Sequence, residues 1–410
     1  MPTNISDAQA SKLFGQALFV EASSANVFSN LLCDSAPMAV EESKVDGSKQ
    51  TSKAAPCVRV TNLEKQAGNE LTLDLFQQLH TEPVMGDDDI EGRLASLKKG
   101  EFSLKIDQYR QGVDSGGKMT QQKTPHDLRK VARSLLGPQG NKLRDQVMQV
   151  QLAGDRGTLE RKDWMVPVAT AASFSKIMVN PVRPPTFDHH TYANGKTAMD
   201  GLVAADTFSL TDVDRLMLQI EEDAFPLQPI SYTGDERAMY DPLYVLYISP
   251  RQWFDFWTSA SAENTSGRRW QDLITAAHNR TKGMDHPLFK GDCAMWSNIL
   301  IKKAPRAIGW NAGDVATVST NEATGLITAD VTPSVPVHRA VLLGAQAVAE
   351  AWGDAGGKSP FKHISKLVDH DNRVEQSISS IRGCAKIRFQ GGDGRVNDHG
   401  VIALDTAVSV

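Results

Sequence analysis

Lys118 closes the run Gly112-Val-Asp-Ser-Gly-Gly117-Lys118-Met119, which reproduces the G-x-x-x-x-G-K portion of a phosphate-binding loop. In such a loop backbone amides cradle phosphate oxygens, the lysine neutralises them, and a Ser or Thr hydroxyl in the next position holds Mg²⁺. Met119 offers no hydroxyl, and Pro125-His126-Asp127 sets the expected helix start several residues too late for its amides to face a phosphate. The run is better read as a flexible turn at Gly112, Gly116 and Gly117. Asp188-His189-His190 and Asp369-His370-Asp371 contain metal-ligand types, but adjacent residues point to opposite sides of a strand and diverge on a helix. Surface clusters are expected there. His286 and His399 are isolated, without a nucleophile elbow or an H-E-x-x-H pattern, and Gly86-Asp87-Asp88-Asp89-Ile90-Glu91 lacks the alternating ligand spacing of a calcium loop. The enzyme alternative, a nucleotide hydrolase using Lys118 or a metal enzyme using the Asp/His clusters, therefore assembles no acid, base and nucleophile. No catalytic, cofactor or metal residue is assigned.

What remains for the charged residues is contact between chains. Asp87, Asp88, Asp89 and Glu91 form an acidic turn, whereas Lys98, Lys99, Arg110, Lys118 and Arg129, with Lys130 and Arg133 beside it, are basic. Lys98, Lys99, Arg129, Lys130 and Arg133 are expected to meet Asp87, Asp88 and Asp89 of another subunit, and Glu91, Arg110 and Lys118 are further expected contacts between subunits. Trp253, Trp257 and Trp270 fall at helical positions in apolar company and are expected as core anchors.

The elements that position these residues follow from periodicity. Leu71, Leu73 and Leu75 alternate with polar or aromatic neighbours, and Phe102, Leu104 and Ile106 repeat on every second residue, so both runs predict strands. Pro125-His126-Asp127 opens a helix carrying Leu128, Val131, Ala132 and Leu135, which Gly137-Pro138 stops or kinks before a second stretch ending at Gly154. Residues 159–200, rich in proline, predict an insertion or long loop. Residues 211–222 predict a helix. Residues 243–248 are a continuous apolar run suited to a buried strand, and Ser249-Pro250 caps a helix through Trp257. Further strands are expected at 298–302, 341–343, 385–389 and 401–404. Residues 43–53 have almost no apolar content and suit an extended arm, interrupted by a helical patch around 10–32.

Length and composition bound these readings. The chain has 410 residues, enough for two or three lobes, with 40% hydrophobic and 23% charged residues and no apolar run long enough to span a bilayer. The opening Met1-Pro2-Thr3-Asn4 lacks a basic region followed by an apolar core, which predicts retention in the compartment of synthesis. Cys33, Cys57, Cys293 and Cys384 are too scattered for a zinc site or a disulfide framework and are expected as buried thiols. The net charge of −5 (44 basic against 49 acidic residues) disfavours tight DNA binding.

The order of motifs then becomes specific. Pro83-Val-Met-Gly86-Asp87, Glu91-Gly92, Ile106-Asp107-Gln108-Tyr-Arg110, Gly116-Gly117-Lys118-Met119, Asp127-Leu128-Arg129 and Leu152-Ala153-Gly154 come first. Pro287-Leu288-Phe289, Met295-Trp296, Leu343-Gly344-Ala345-Gln346-Ala347 and Asp398-His-Gly400-Val401-Ile402 follow. Over residues 68–406 this series resembles the major capsid proteins of N-four-like tailed phages. The resemblance implies an α+β protein of the Hong Kong 97 capsid fold. Its parts would be an N-terminal arm (1–70), an E-loop (84–124), a peripheral domain (71–83, 125–229 and 366–410) with a spine helix near 126–153, and an axial domain (230–365).

Its implied role is to self-assemble into pentamers and hexamers of an icosahedral head enclosing double-stranded DNA, built in the host cytoplasm and residing in the virion capsid. Implied partners are copies of itself, portal and scaffolding proteins, and a decoration protein as a further candidate. Packaged DNA would be touched weakly and without sequence specificity, and no membrane is involved.

Overall fold

The computed structural model describes residues 55–60, 69–76, 99–123, 127–160, 163–223, 227–231, 241–261, 270–280, 292–304, 306–320, 327–353, 361–390 and 395–409. The helical patch, Cys33, the acidic turn at 86–91 and residues 1–54 and 61–68 of the expected arm lie outside these residues, whereas Cys57–Val60 departs from an extended arm as a buried strand paired in parallel with Val348–Trp352.

Two sheets organise what is described. The larger has the strand order His190–Tyr192, Val401–Ala407, Val337–Leu343, Tyr244–Ile248, Ile299–Lys303, Cys293–Trp296, with Ile308–Trp310 also pairing on Val337–Leu343. Its centre is apolar on both faces, as the continuous run Tyr-Val-Leu-Tyr-Ile demands: all five residues of Tyr244–Ile248 are buried. Alternation divides the core. Leu246, Ile248, Ile301, Leu342 and Ile402 pack with the helices Leu210–Glu222 and Pro250–Ser261 on one face; Val245, Leu300, Val341 and Val401 face Met148, Leu152 and Trp310 on the other. Tyr244–Ile248 and Ile299–Lys303 run parallel, so the chain must cross over between them, and the helices Pro250–Ser261 and Trp270–Arg280 lie in that crossover.

The second sheet joins Cys57–Val60, Val348–Trp352, Arg373–Lys386 and Lys362–Val368 in that order, with Asp107–Gly117 also paired to Arg373–Lys386. The helix Leu128–Ala153 lies across it. Asp127 caps its start by accepting from the amides of Arg129 (3.1 Å) and Lys130 (3.2 Å), and Gly154, at φ 71°, ends it in the left-handed conformation.

Several expectations are corrected here. Gly137-Pro138 does not stop the long helix, which runs unbroken past Pro138. Pro138 and Ser134 are both exposed, so the carbonyl deprived of its amide lies on the solvent side, while Leu136, Gly137 and Gly140 keep the buried face intact. A Cβ at Gly140 would stand 3.1 Å from the Phe361 ring, so a glycine there lets helix and sheet approach. Gly112, Gly116 and Gly117 belong to the extended strand Asp107–Gly117 instead of a free turn, because Arg373–Lys386 pairs with it from Asp107 to Asp114 and again at Gly117, with a bulge at Ser115 and Gly116 between. Only Gly116, at φ 78°, uses a glycine's backbone freedom.

The expected boundaries at 229/230 and 365/366 do not follow sheet membership. Val401–Ala407 and His190–Tyr192 lie in the sheet that contains Tyr244–Ile248, and Val348–Trp352 lies in the sheet under the long helix. The predicted strand at 385–389 is divided between Arg373–Lys386 and Arg388–Gln390, which pair with different partners.

Candidate assembly surfaces

Beside the second sheet stands a two-stranded ribbon, Glu70–Phe76 with Lys99–Lys105, in antiparallel register Leu71 to Leu104 and Leu73 to Phe102. The ribbon is anchored at its base. Leu104 is fully buried, and Leu71, Phe102 and Ile106 pack partly buried with it on Ala349, Ala351, Ala385, Ile387 and Phe389. The Phe102 and Phe389 rings meet edge to face at 6.3 Å. Asn180 clamps one side in the manner of a strand: its Nδ2 donates to the Lys105 carbonyl and its Oδ1 accepts from the Lys105 amide, both at 2.9 Å. Gly383 closes the other side, where any Cβ would overlap the Lys105 carbonyl. The expected loop at 84–124 is corrected in its second half: Asp107–Gly117 pairs with Arg373–Lys386, and Lys99–Lys105 finds its partner upstream, in Glu70–Phe76.

The charged residues proposed for subunit contacts are distributed as follows. Asp87, Asp88, Asp89, Glu91 and Lys98 lie outside the described residues, and Lys99 opens the second ribbon strand. Arg110, Lys118 and Arg129 are exposed. Arg129 and Arg110 occupy opposite faces of the sheet. Gln376 Nε2 donates to the Arg129 carbonyl (3.0 Å), which places Gln376 and its ladder partner Val113 on the helix side. Arg110 is three residues from Val113 in the strand and points the other way, in register with Ser379 and Lys362. The Arg129 guanidinium donates to Ser365 Oγ (3.3 Å), and Lys130 pairs with Asp127 at 3.5 Å.

Lys118 begins a short helix, Lys118–Gln122, immediately after Gly117, earlier than the sequence suggests. Its amide already donates to the Asn372 carbonyl at 3.1 Å, so the first donor of this turn is used within the chain. The glycine run docks on the turn at Asp369-His370-Asp371, whose three residues all adopt positive φ and are exposed, as a surface cluster should be.

Asp188-His189-His190 departs from expectation. Both histidines are buried, because each has an aspartate to accept from its ring: His189 Nε2 lies 2.8 Å from Asp223, and His190 Nε2 lies 2.7 Å from Asp405. Burial pushes the His190 imidazole below its ordinary value, which favours a neutral ring donating to Asp405. Asp405 in turn accepts two bonds of 2.7 Å from Arg339. Burial alone would raise its carboxyl, but Arg339 and His190 hold it far below the usual carboxylate range. Two further carboxylates are treated alike. Asp398 accepts from Lys386 (2.8 Å) and Arg388 (2.5 Å), and Glu350 accepts from Arg144 (2.5 Å to each oxygen) and Arg59 (3.3 Å). Against the opposing effect of burial, these cations hold each acid down at about 2. Burial also pushes Lys386 down to about 7. A single charged residue inside an apolar strand, Arg339 in Val337–Leu343 or Asp405 in Val401–Ala407, is the sequence signal for these networks. Among the described residues no group of three or more His, Cys, Asp or Glu is placed to hold a metal ion.

Trp257 is not a core anchor. It is 45% exposed beside Phe254, 58% exposed, with ring centroids 6.2 Å apart, because the helix Pro250–Ser261 turns Phe256 toward the sheet. Trp253 packs partly buried on the core, and the Trp270 side chain lies outside the described set. Cys57 and Cys293 are buried, and Cys384 is half-buried.

Comparison with known proteins gives this architecture a family. The phage capsid protein profile matches residues 2–410. The capsid of Ralstonia phage GP4 is similar at 27% identity and a TM-score of 0.69, over 88% of this chain and 89% of that one. The cyanophage Pam1 capsid shares the fold at 17% identity and a TM-score of 0.58, over 87% and 90%. The capsid of Helicobacter pylori bacteriophage KHP30 does so at 15% and 0.55, over 87% and 89%. No curated protein matches. Two sheets, a long helix lying across one of them and an anchored ribbon thus match capsid shells along almost the whole chain, and the chain belongs to the phage capsid protein family as a major capsid protein of the Hong Kong 97 fold, a subunit of the phage head.

Proposed function

We propose that this subunit builds closed pentameric and hexameric rings, and the rings an icosahedral shell around double-stranded DNA, through heterologous contacts made chiefly by the ribbon and by the segment before residue 55. A heterologous contact joins two different patches of one chain, and closure of such contacts yields rings. The ribbon supports this reading best. Its base is fixed to its own sheet by Leu104, Asn180 and Gly383, while Glu70 and Thr72 stay exposed. The E-loop is this ribbon, 70–105, shifted upstream of the 84–124 expected from sequence. The acidic residues Asp87, Asp88, Asp89 and Glu91 fall between its strands and are proposed to meet Arg129, Lys130 and Arg133 of a neighbouring subunit. Arg110, on the opposite face, and Lys118 are proposed to serve separate contacts.

The peripheral domain is read as the sheet under Leu128–Ala153 and the axial domain as the sheet carrying Pro250–Ser261 and Trp270–Arg280. Portal, scaffolding and decoration proteins are proposed partners, and assembly in the host cytoplasm is the proposed route. With 44 basic against 49 acidic residues, packaged DNA is faced without being gripped.

The test replaces residues 77–98 by a short glycine-serine turn. The expected product is a folded, soluble subunit with native circular dichroism that forms no closed shells in negative-stain electron microscopy. Shells of normal size and yield from this variant would overturn the assignment.

A further inference from the structure

Three guanidinium groups surround one carboxylate between the long helix and the second sheet. Arg59, Arg144 and Arg382 are 6%, 1% and 5% exposed, and Glu350, which the first two engage, is 1% exposed. Arg144 takes both Glu350 oxygens at 2.5 Å and Arg59 adds a bond of 3.3 Å, so the acid is already saturated by two cations. The third contributes charge only. Arg382 Nε has no hydrogen-bond partner, and its guanidinium lies over the Tyr109 ring at 4.8 Å. Arg144 Nη1 is also unpartnered, as are both amide atoms of Asn141, one turn earlier on the same helix face and 4% exposed. Asp107, opposite Arg382 in the ladder, is exposed, and its carboxylate accepts from the Gln108 amide at 2.7 Å.

Counted as formal charges, the cluster holds three cations and one anion in a setting almost shut off from water. Burial and then the neighbouring Arg144 press the Arg382 guanidinium below its ordinary value, although Tyr109 and Glu350 act against them. The Trp352 ring, under Arg59 at 4.5 Å and Arg144 at 5.3 Å, and the Tyr109 ring relieve part of the excess; an arginine does not give up its proton at neutral pH, so the rest calls for another negative group.

The geometry points to an anion site here: Arg144 Nη1, Arg382 and the Asn141 amide bind one small inorganic oxyanion of the phosphate or sulfate class. Arginine forks donate two parallel bonds to oxygens held on one centre, which suits a tetrahedral oxyanion better than a halide. Groups this enclosed leave room only for a small ion and exclude a polymer. The bound ion would tie the long helix, through Arg144, to the strand Arg373–Lys386, through Arg382.

The test uses the full-length subunit with sodium phosphate, and sodium chloride at equal ionic strength as reference. Isothermal titration should give saturable binding of about one phosphate per chain, and the thermal midpoint should rise by about 2 °C or more in phosphate over chloride. Arg382→Gln should remove both responses, whereas Arg251→Gln, at an exposed position of the helix Pro250–Ser261, should keep them. Absence of saturable phosphate binding to the unaltered subunit would overturn the proposal without reference to any variant. So would an equal stabilisation by chloride, or an unchanged phosphate response in a folded Arg382→Gln protein.

Discussion

The Arg339 guanidinium and the Asp405 carboxylate face each other across adjacent antiparallel strands, joined by two hydrogen bonds of 2.7 Å with neither side chain exposed to solvent. Their residues are direct ladder partners, so the pair also fixes the register of Val337–Leu343 against Val401–Ala407. Arg339 donates further to the Ala153 carbonyl (3.0 Å), which links the end of the long helix to the larger sheet.

Removing one member of this pair leaves the other buried without compensation. Asp405→Asn should cost about 3–5 kcal/mol of folding stability, read from urea unfolding of the isolated subunit. The double variant Arg339→Leu/Asp405→Leu should lose less than the sum of its single changes. A cost below about 1 kcal/mol for Asp405→Asn would show that the pair is not buried in solution.

Acid should weaken the subunit through Asp398 and Glu350. Both carboxyls sit at about 2 when folded, below the usual 3.8 and 4.5. A depressed acid contributes stability that is complete above its unfolded value and disappears as pH falls through its folded one. Each should supply on the order of 2 kcal/mol above about pH 5, lost between about pH 4 and pH 2. Unfolding midpoints followed across that interval check the sign, and Asp398→Asn should flatten the profile.

Gly383→Ala should detach the base of the ribbon, because its Cβ would occupy the place of the Lys105 carbonyl. The expected loss exceeds about 2 kcal/mol, with faster hydrogen exchange at Ile106, whose amide donates to the Asn69 carbonyl at the ribbon base. Gly201→Ala, where an added Cβ meets nothing within 4 Å, is the control and should stay within about 0.5 kcal/mol.

The helix Pro250–Ser261 should respond in opposite ways on its two faces. Phe256→Ala, removing a fully buried ring packed on Phe208 at 5.4 Å, should cost about 3–5 kcal/mol. Trp257→Ser, on the exposed face, should change subunit stability by less than about 1 kcal/mol. Equal losses from both would place Trp257 in the core after all.

These contrasts show what sequence could and could not reveal. The strand at Tyr244–Ile248 and the helix Leu210–Glu222 were legible because apolar periodicity is a local property, with Val213, Leu216 and Ile220 buried on one face as their spacing requires. The faces of Trp257 and Phe256 were less so, since both are aromatic neighbours and only the sheet distinguishes them. Gly112 looked like a turn because the strand that straightens it, Arg373–Lys386, lies more than 250 residues downstream. His189 and His190 looked like surface residues for the same reason: Asp405, which makes burial of His190 tolerable, is 215 positions away. The boundaries at 229/230 and 365/366 do not coincide with the sheets, because strands distant in sequence share a sheet, a choice made by long-range pairing that no local pattern records.

The position of Val401–Ala407 makes closure of the larger sheet a long-range event. This strand lies between His190–Tyr192 and Val337–Leu343, inside the larger sheet and not at its rim. The larger sheet therefore cannot be completed before residues 401–407 pair with Val337–Leu343 and His190–Tyr192, partners distant in sequence, so its closure carries a larger entropic cost than the local helices beside it.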